Sequence, residues 1–375
     1  MVKWIKKIIL SLPGKRYIVL ESEPNVSDNT AEVYREMLRR GLNRKYRFVW
    51  YMHEQSAQEA FPKDPGVLYL NEKKQASFLE KWIVVRAKCF ITCNGYLETC
   101  HQDQTSFFLT HGMAIKDTAD YRRPLNGVQY YLCSSEFFVD VMAKQLWMDP
   151  GKAFSLGLPR NDVLKLPDMD LHPFFDRDFD KIMVWYPTYR QGMSESHQVA
   201  GAKPLPILEN DEQAERLNRC LKENRVLLVI KPHPGQDMSY IQQIDLSNIV
   251  FIDNNFFIKN KISSYRFMGS CDALITDYSS VYYDYLLCDK PVAAVWEDIE
   301  TFRRELGFAV DIDEVMKGAF KIYTMDDFER FSCDLATGND TLKAERNEVK
   351  QYVHYADDDQ STRRVTDFIM EKAGL

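Results

Sequence analysis

The sequence has no apolar run that approaches the roughly 18 residues needed to cross a bilayer, so we expect no membrane span. It also lacks a basic excess, because 48 Lys and Arg stand against 55 Asp and Glu, a net charge of −7. Nucleic-acid-binding proteins need a basic footprint, so this balance argues against a nucleic-acid partner. Eight cysteines among 375 residues are too sparse for the disulfide framework of a small secreted domain.

The closest group of metal-ligand residue types is Cys89, Cys93, Cys100 and His101. Cys89 and Cys93 fall in an apolar run with strand-like alternation, so both side chains would point to one face. Zinc sites usually show tighter pairs of cysteines. We therefore expect reduced, partly buried thiols in a cytosolic protein, and neither a metal nor a cofactor; zinc at this group is the alternative.

What is present is ordinary globular composition, 45% hydrophobic and 27% charged, which excludes collagen-like and low-complexity chains. Short apolar runs alternate with helical patterns along both halves, which is typical of parallel sheets with helices on both faces. One predicted helix, 28–40, has Asp28 as its N-cap and Gly41 after its end. The predicted strands are 17–20, 46–51, 67–70, 89–93, 107–110, 182–185, 226–230, 249–252, 273–276 and 292–296, and the other predicted helices are 211–223 and 281–288.

The length suggests two domains at about 150 residues each. We expect five segments: a basic amphipathic segment (1–15), a first doubly wound α/β domain (16–165), a linker rich in Pro and Asp (166–180), a second doubly wound domain (181–342) and a helical segment that crosses back (343–375). Two such domains place a ligand in the cleft between them, at the carboxyl ends of their strands.

The first 16 residues contain five basic residues and no acidic ones. Their apolar residues fall at helical spacing, with the lysines largely on another face, which predicts an interfacial helix on anionic lipid. A signal peptide is disfavoured because the apolar stretch is short, interrupted by lysines and without a small-residue cleavage site. A helix that packs on the body of the protein is the alternative.

Two histidines follow predicted strands. His111 and Gly112 come directly after the run 107–110. At this position glycine permits close approach of a ligand, and the imidazole can take a proton from a hydroxyl. His233 lies between two prolines after strand 226–230, and Lys231 can face the same side to meet a phosphate. A hydrogen-bonded structural histidine is the alternative for His111.

Two further strand ends carry polar groups. Asp277, Ser279 and Ser280 lead into the predicted helix 281–288, whose N-terminus favours an anion; an ordinary serine N-cap is the alternative. Arg190 follows strand 182–185 and could clamp a diphosphate, with a plain surface loop as the alternative. The stretch 157–162 is typical of a structural turn, with Arg160 as a candidate phosphate contact.

Taken in order, several motifs resemble the CDP-glycerol glycerophosphotransferase family, the teichoic-acid primases and polymerases. The motifs are DNTAEVYREML, THGMAIK, LGLPRNDVL, YPTYR, KPHP, LITDYSSVYYDYLLCDKPV, FRRELGF and DDQSTRRV. The resemblance implies a GT-B fold, with two Rossmann-like domains facing a central cleft, and transfer of glycerol phosphate from CDP-glycerol to an acceptor hydroxyl with release of CMP. It departs at Met113 and Ala114, where Thr-Pro is common.

The resemblance also implies roles for individual residues. His111 would be the general base and His233 a contact of the donor diphosphate. Donor binding would fall to Gly112, Lys231, Asp277, Ser279, Ser280, Arg190, Arg304 and Gly307, with Lys116 and Arg160 as candidate phosphate contacts. CDP-ribitol is a second candidate donor. The implied acceptor is a lipid-linked or polymeric cell-surface glycan, such as teichoic acid or capsule, and the implied location is the inner face of the cell membrane.

Three other functions remain open at this point. A GT-B glycosyltransferase that uses a nucleotide sugar shares the fold, although the DYSS stretch replaces a carboxylate-rich sugar-binding loop. A non-catalytic CDP-alditol-binding subunit is disfavoured because both His111 and His233 are present. A nucleotide-sugar epimerase of GT-B type would form product without an acceptor.

Overall fold

The structure is a computed structural model. It describes residues 2–12, 14, 16–53, 64–71, 77–95, 101–121, 125, 127–188, 205–232 and 246–375. Contacts between residues divide the chain into two compact units. The first comprises Met1–Met113, Arg123–Asp162 and Asp358–Leu375, and the second comprises Ala114–Arg122 and Val163–Asp357.

The first unit is built on a seven-stranded parallel sheet in the order β3-β2-β1-β4-β5-β6-β7. Its strands are β1 (Tyr17–Glu21), β2 (Arg47–Met52), β3 (Leu68–Asn71), β4 (Ala87–Thr92), β5 (Thr105–Phe108), β6 (Tyr130–Cys133) and β7 (Ala153–Ser155). Its helices are α1 (Val2–Ser11), α2 (Asp28–Arg39), α3 (Phe78–Arg86), α4 (Val139–Leu146) and, from the end of the chain, α13 (Ser361–Ala373).

The second unit contains a six-stranded parallel sheet in the order β10-β9-β8-β11-β12-β13. Its strands are β8 (Lys181–Trp185), β9 (Val226–Ile230), β10 (Ile249–Phe251), β11 (Ala273–Thr276), β12 (Val292–Val295) and β13 (Phe320–Ile322). Its helices are α5 (Asp211–Glu223), α6 (Asn254–Asn260), α7 (Ser264–Ser270), α8 (Val281–Tyr285), α9 (Ile299–Glu305), α10 (Ile312–Val315), α11 (Met325–Thr337) and α12 (Lys343–Val353).

In both sheets the chain forms a central strand first, adds strands on one side of it and then adds strands on the other side. This is the doubly wound arrangement. The prediction of two doubly wound parallel α/β units is therefore confirmed. The switch point lies between β1 and β4 in the first sheet and between β8 and β11 in the second. Ligands of such sheets bind outside the carboxyl ends of the strands at this point, so it is where a site is expected.

The central strands are almost entirely buried, as expected when helices cover both faces of a parallel sheet. All five residues of β1 and all five of β9 are buried. In the first unit the Tyr34 ring of α2 meets Phe48 and Trp50 edge to face, with ring centroids 5.2 and 5.5 Å apart. In the second unit Trp185 at the end of β8 meets Phe328 of α11 at 5.5 Å. These contacts fix the helices against the sheets.

Most predicted elements are confirmed, and β9, β11 and α5 have the predicted bounds. Strands β6, β7 and β13 were not predicted. The N-cap prediction for α2 is wrong, because Ser27 holds that position and Asp28 is the first helical residue, with φ of 57°. The predicted helical segment 343–375 consists of two helices, α12 in the second unit and α13 in the first.

The thiols expected near β4 are found there. Cys89 and Cys93 are free and buried, and burial raises the pKa of Cys89 to about 12. Cys100 lies outside the described residues. Across the part of the chain that the structure covers, no helix combines the length and the apolar character that a membrane crossing needs.

Gly157 allows a test of the packing between the first unit and its last helix. Its φ is +81°, and a Cβ there would lie 2.4 Å from Ser361 Oγ on α13. We expect Gly157→Ala to lower the free energy of unfolding by about 2–4 kcal/mol, since strain and a clash add. Gly41→Ala is the control, because its φ of +78° is similar but the nearest atom lies at 3.7 Å. Equal losses for both variants in thermal unfolding would contradict the clash.

Candidate functional site

His111 lies just beyond the carboxyl end of β5, and its side chain is exposed. Thr110 before it is buried and has φ of 54°, in the left-handed region that a β-branched residue rarely adopts. Such a conformation costs about 1–3 kcal/mol and persists where the surroundings impose it. Gly112 after it has φ of 145°, which glycine tolerates. The backbone therefore turns sharply on both sides of the imidazole.

Arg160 is placed behind this turn and is 5% exposed. Its Nη1 donates to both carboxylate oxygens of Asp28, at 3.0 and 2.9 Å, and to the carbonyl of His111 at 2.6 Å. These contacts leave the guanidinium buried within the unit instead of presented at its surface. Arg160 therefore supports the His111 backbone, and its role as a phosphate contact stays a prediction.

The loop that carries Arg160 is itself anchored on α13. Asp162 accepts hydrogen bonds from the Ser361 and Thr362 N–H groups at the start of that helix, at 3.0 and 2.8 Å. Arg364 donates to the Leu156 carbonyl at 3.1 Å. Parts of four motifs of the resemblance therefore meet in the first unit, although they span more than 300 positions of the sequence: DNTAEVYREML, the THGM of THGMAIK, the LGLPRND of LGLPRNDVL and DDQSTRRV.

In the second unit, the loops after β8 and β11 are joined by Asp277. This residue is fully buried, and its two carboxylate oxygens accept from the Thr188 N–H at 3.0 and 2.9 Å. One of them also accepts from the Tyr278 N–H at 2.7 Å. The carboxylate of Asp277 thus holds two loops at the switch point of the sheet, and its part in donor binding stays a prediction.

Ser279 and Ser280 follow directly and are half-buried. Ser280 occupies the N-cap position of α8, and its side chain makes no capping hydrogen bond to the described backbone. Helix α8 continues as a short 3-10 turn at Leu286–Cys288, close to the predicted helix 281–288. The two hydroxyls and the N–H groups of this first turn can serve as donors to an anion.

Lys231 is the first residue after β9, next to Pro232. Its Nζ lies 5.9 Å from the centre of the Tyr186 ring, and its burial lowers the pKa of the ammonium from the ordinary value. A bound anion would favour the charged form of this amine. His233 and Arg190, the other candidates at these strand ends, lie outside the described residues.

Two further segments of the second unit, which contain Lys116 and Phe308, lie next to the loop after β11. Lys116 pairs with Phe308 in an antiparallel bridge, and the Asp117 N–H donates to the Gly307 carbonyl at 3.1 Å. The ring of Tyr278 contacts Phe302 and Phe308, with centroids 4.4 and 5.6 Å apart. Lys116 and Gly307 are thereby brought to the loop that precedes Ser279.

Arg304 lies on α9, is exposed and makes an ion pair with Glu305 at 3.2 Å. It precedes the Gly307 loop by three residues. Among the residues that the structure describes, no group of three or more His, Cys, Asp or Glu side chains could hold a metal ion. What the edge does offer is amines, hydroxyls and helix N–H groups, which are ligands for phosphate oxygens.

The roles of several residues at these sites were not predicted from the sequence. Asn29, Asp162 and Tyr278 lie inside the motifs of the resemblance, yet each acts through a partner that is distant along the chain or in another loop. The signal that could have found Asn29 is a polar residue at a position of α2 that turns out to be fully buried. Buried polar side chains are hydrogen-bonded, and such a bond must reach another segment.

Residues 5–371 match the family described as CDP-Glycerol:Poly(glycerophosphate) glycerophosphotransferase. A structure of the wall teichoic acid polymerase TagF superposes with a TM-score of 0.71 at 19% identity, covering 96% of this chain and 89% of that one. A second TagF structure, soaked with CDPG, gives the same values. A UDP-N-acetylglucosamine 2-epimerase gives 0.55 at 13% identity, covering 97% and 98%. The fold is of the GT-B class, and the chain belongs to the CDP-glycerol glycerophosphotransferase family.

The curated relatives match this chain over only part of their own length. The teichoic acid poly(glycerol phosphate) polymerase of Staphylococcus epidermidis is 25% identical over 272 residues, which is 68% of this chain and 33% of that protein. The teichoic acid ribitol-phosphate primase of Bacillus spizizenii is 24% identical over 249 residues, 64% and 58%. The chain thus matches between a third and about three-fifths of the length of these relatives.

The role of Asp277 can be tested by stability. Asp277→Asn replaces one accepting oxygen by an NH2 group that cannot accept from the Thr188 N–H, so we expect a loss of about 1–3 kcal/mol. Asp284→Asn is the control: Asp284 is also buried and accepts from the Tyr265 hydroxyl at 2.6 Å, a bond that an amide oxygen can keep. Thermal unfolding that ranks the two variants equally would argue against the loop-joining role.

Proposed function

We propose that the protein transfers glycerol phosphate, or a related alditol phosphate such as ribitol phosphate, from a CDP-alditol to an acceptor hydroxyl and releases CMP. The observation that carries this proposal is the family match over residues 5–371, together with anion ligands at the switch point of the second sheet. The acceptor class is a lipid-linked or polymeric cell-surface glycan of the teichoic-acid or capsule type.

Most of the proposed donor contacts belong to the second unit. Ser279, Ser280 and Lys231 would contact the donor diphosphate from the ends of β11 and β9, and His233 is proposed to join them. Hydroxyl and ammonium donors are suited to phosphate oxygens, and a helix N-terminus adds a favourable field. The donor-binding role proposed for Asp277 is indirect, since its carboxylate holds the loops that carry these groups.

Lys116, Arg304 and Gly307 are proposed as a second set of donor contacts. Lys116 and Gly307 adjoin one another through the bridge to Phe308, and Arg304 is exposed on the helix that leads into this loop. Arg190 and Gly112 complete the set of proposed donor contacts. No resident metal or cofactor is part of the proposal.

The reaction is an in-line displacement at phosphorus. The acceptor oxygen forms a bond to the phosphorus that carries the alditol, and the bond from that phosphorus to the CMP oxygen breaks. The acceptor proton passes to the His111 imidazole, and CMP leaves as a phosphate monoester whose charge is stabilised by the donor contacts. Positioning and charge stabilisation carry most of the catalysis in phosphoryl transfer.

A substrate panel separates this function from its alternatives. CDP-glycerol, CDP-ribitol and nucleotide sugars would each be tested with an oligo(glycerol phosphate) and a lipid-linked disaccharide as acceptors. We expect CMP release from a CDP-alditol that depends on the acceptor. Nucleoside diphosphate release from a sugar donor would indicate a glycosyltransferase, product without any acceptor an epimerase, and donor binding with no turnover a non-catalytic subunit.

His111 and His233 are expected to respond differently to replacement. His111→Ala should lower turnover by about a hundredfold or more, because the proton acceptor is lost, and donor binding should change little. His233→Ala should weaken donor binding as well as turnover. CMP release and calorimetric donor binding would measure both effects. Near-normal turnover of folded His111→Ala would require another base, and loss of donor binding in that variant would make His111 a phosphate ligand.

We also propose that the protein associates peripherally with the inner face of the cell membrane through α1 and α3. These helices pack together, and Arg86 of α3 donates to the Leu12 and Gly14 carbonyls after α1, both at 3.0 Å. The two helices expose four large apolar side chains, Trp4, Ile8, Phe78 and Leu79, and Leu12 just after α1 is also exposed. Lys7 and Lys81 are exposed on the same two helices, and such a combination suits an anionic lipid surface.

Vesicle binding tests this surface. Trp4→Asp combined with Phe78→Asp should reduce cosedimentation with anionic vesicles at least severalfold, because both changes put a carboxylate where an apolar ring would insert. High salt should weaken binding of the unchanged protein, since its charge component is screened. Trp147→Asp is the control, as Trp147 is also exposed in the first unit. Equal loss in the control, or no loss in the double variant, would exclude α1 and α3 as the membrane surface.

A further inference from the structure

Three consecutive backbone carbonyls at the end of β5 are held by side chains from elsewhere in the first unit. Asn29 Nδ2 donates to the Leu109 carbonyl at 3.2 Å and to the Thr110 carbonyl at 2.9 Å. Arg160 Nη1 donates to the His111 carbonyl at 2.6 Å. Hydrogen bonds thus hold each of the three carbonyls from Leu109 to His111, and the side chain of His111 is exposed.

The orientation of the Asn29 amide is determined by its partners. Its Oδ1 accepts from the Arg160 backbone N–H at 3.0 Å, and an N–H can only donate. Its Nδ2 faces two carbonyls, which can only accept. Asn29 is fully buried, so neither end can exchange its partner for bulk water. An aspartate of the same shape would place an oxygen against the two carbonyls.

Asn29 and Arg160 form one network with Asp28. Asp28 pairs with the Arg160 guanidinium, and it also accepts from the Asn29 N–H at 2.7 Å. Both Asp28 and Thr110 have positive φ, so the network joins two backbone positions that require support. Removal of either donor would release a carbonyl next to Thr110 and let the backbone there relax.

We propose that Asn29 and Arg160 are positioning residues that hold the His111 imidazole where it receives the acceptor proton. This inference rests on the proposed function, in which His111 is the general base. Neither residue touches the substrate in this role. Both act by fixing the backbone on which the imidazole is mounted, and a displacement of about 1 Å at a reacting group can cost about a hundredfold in rate.

The main test is Asn29→Asp, measured as acceptor-dependent CMP release from CDP-glycerol with oligo(glycerol phosphate). We expect turnover to fall at least tenfold, while the KM for CDP-glycerol changes less than about twofold, because most of the proposed donor contacts lie in the second unit and Gly112 is a single contact beside His111. In a His111→Ala background the same substitution should have almost no further effect, since its influence passes through the imidazole.

Gln104→Glu is the matched control. Gln104 is a buried amide of the same unit that directly precedes β5, and its Nε2 donates to the carbonyls of Val84 and Val85 at the end of α3 and of Ala87 at the start of β4. The substitution therefore repeats the amide-to-carboxylate change at the opposite end of β5. It should destabilise the unit to a similar extent and leave turnover within about twofold of the unchanged protein.

Arg160→Lys provides a second variant if Asn29→Asp does not fold. A lysine can pair with Asp28 but lacks the planar fork, so we expect at least a fivefold fall in turnover that also disappears in the His111→Ala background. Normal turnover of a folded variant, or an equal loss with and without His111, would overturn the positioning roles. If the unchanged protein releases no CMP, the proposed function itself fails. If His111→Ala keeps full turnover while CMP is still released, the general-base role of His111 fails, and the positioning roles fail with it.

Discussion

The first unit depends on the buried ion pair between Arg160 and Asp28. A guanidinium in this position is costly without its partner, so the pair stays closed in the folded unit. Because the same nitrogen donates to the His111 carbonyl, closure of the pair also fixes the loop after β5. Asp162 binds the first turn of α13 only two residues further on, and the support of the loop is thereby continued to the last helix.

The second unit follows the same physical plan with a different residue. Asp277 is a buried carboxylate that joins the loops after β8 and β11, while half-buried Ser279 and Ser280 stand next to it. In both units the candidate site residues lie on loops that are held by buried hydrogen bonds. Rigid mounting of this kind keeps a reactive side chain in place without contact to the reacting atoms.

The sequence allowed the central part of each sheet to be predicted, since strands buried on both faces are continuous apolar runs. The bounds of β9 and β11 were correct for this reason. Strands β7 and β13 have three residues each, and β13 contains Lys321, so neither stands out as an apolar run. Asp28 was assigned as a helix cap because local pattern suggests it, but its carboxylate pairs with Arg160, 132 residues away.

Local sequence pattern predicted some residues of the candidate site and not others. His111, Ser279 and Ser280 were predicted because they follow strands, and the structure places all three at carboxyl ends. The parts played by Asn29, Arg160 and Asp277 depend on partners that lie about 50 to 130 positions away, which short-range pattern does not encode. Their residue types were visible in the sequence, whereas their partners come only from the tertiary fold.

The first unit is built from separate parts of the chain, and its last part follows the second unit. This order affects how the protein folds during synthesis on the ribosome. Helix α13, which packs on α2 and caps the Arg160 loop through Asp162, follows the residues of the second unit in the chain. Domains generally fold as units, in the order in which they emerge. Here the second unit can complete its sheet first, whereas the nascent first unit must wait for the final helix, with its helix-binding surface uncovered in the meantime.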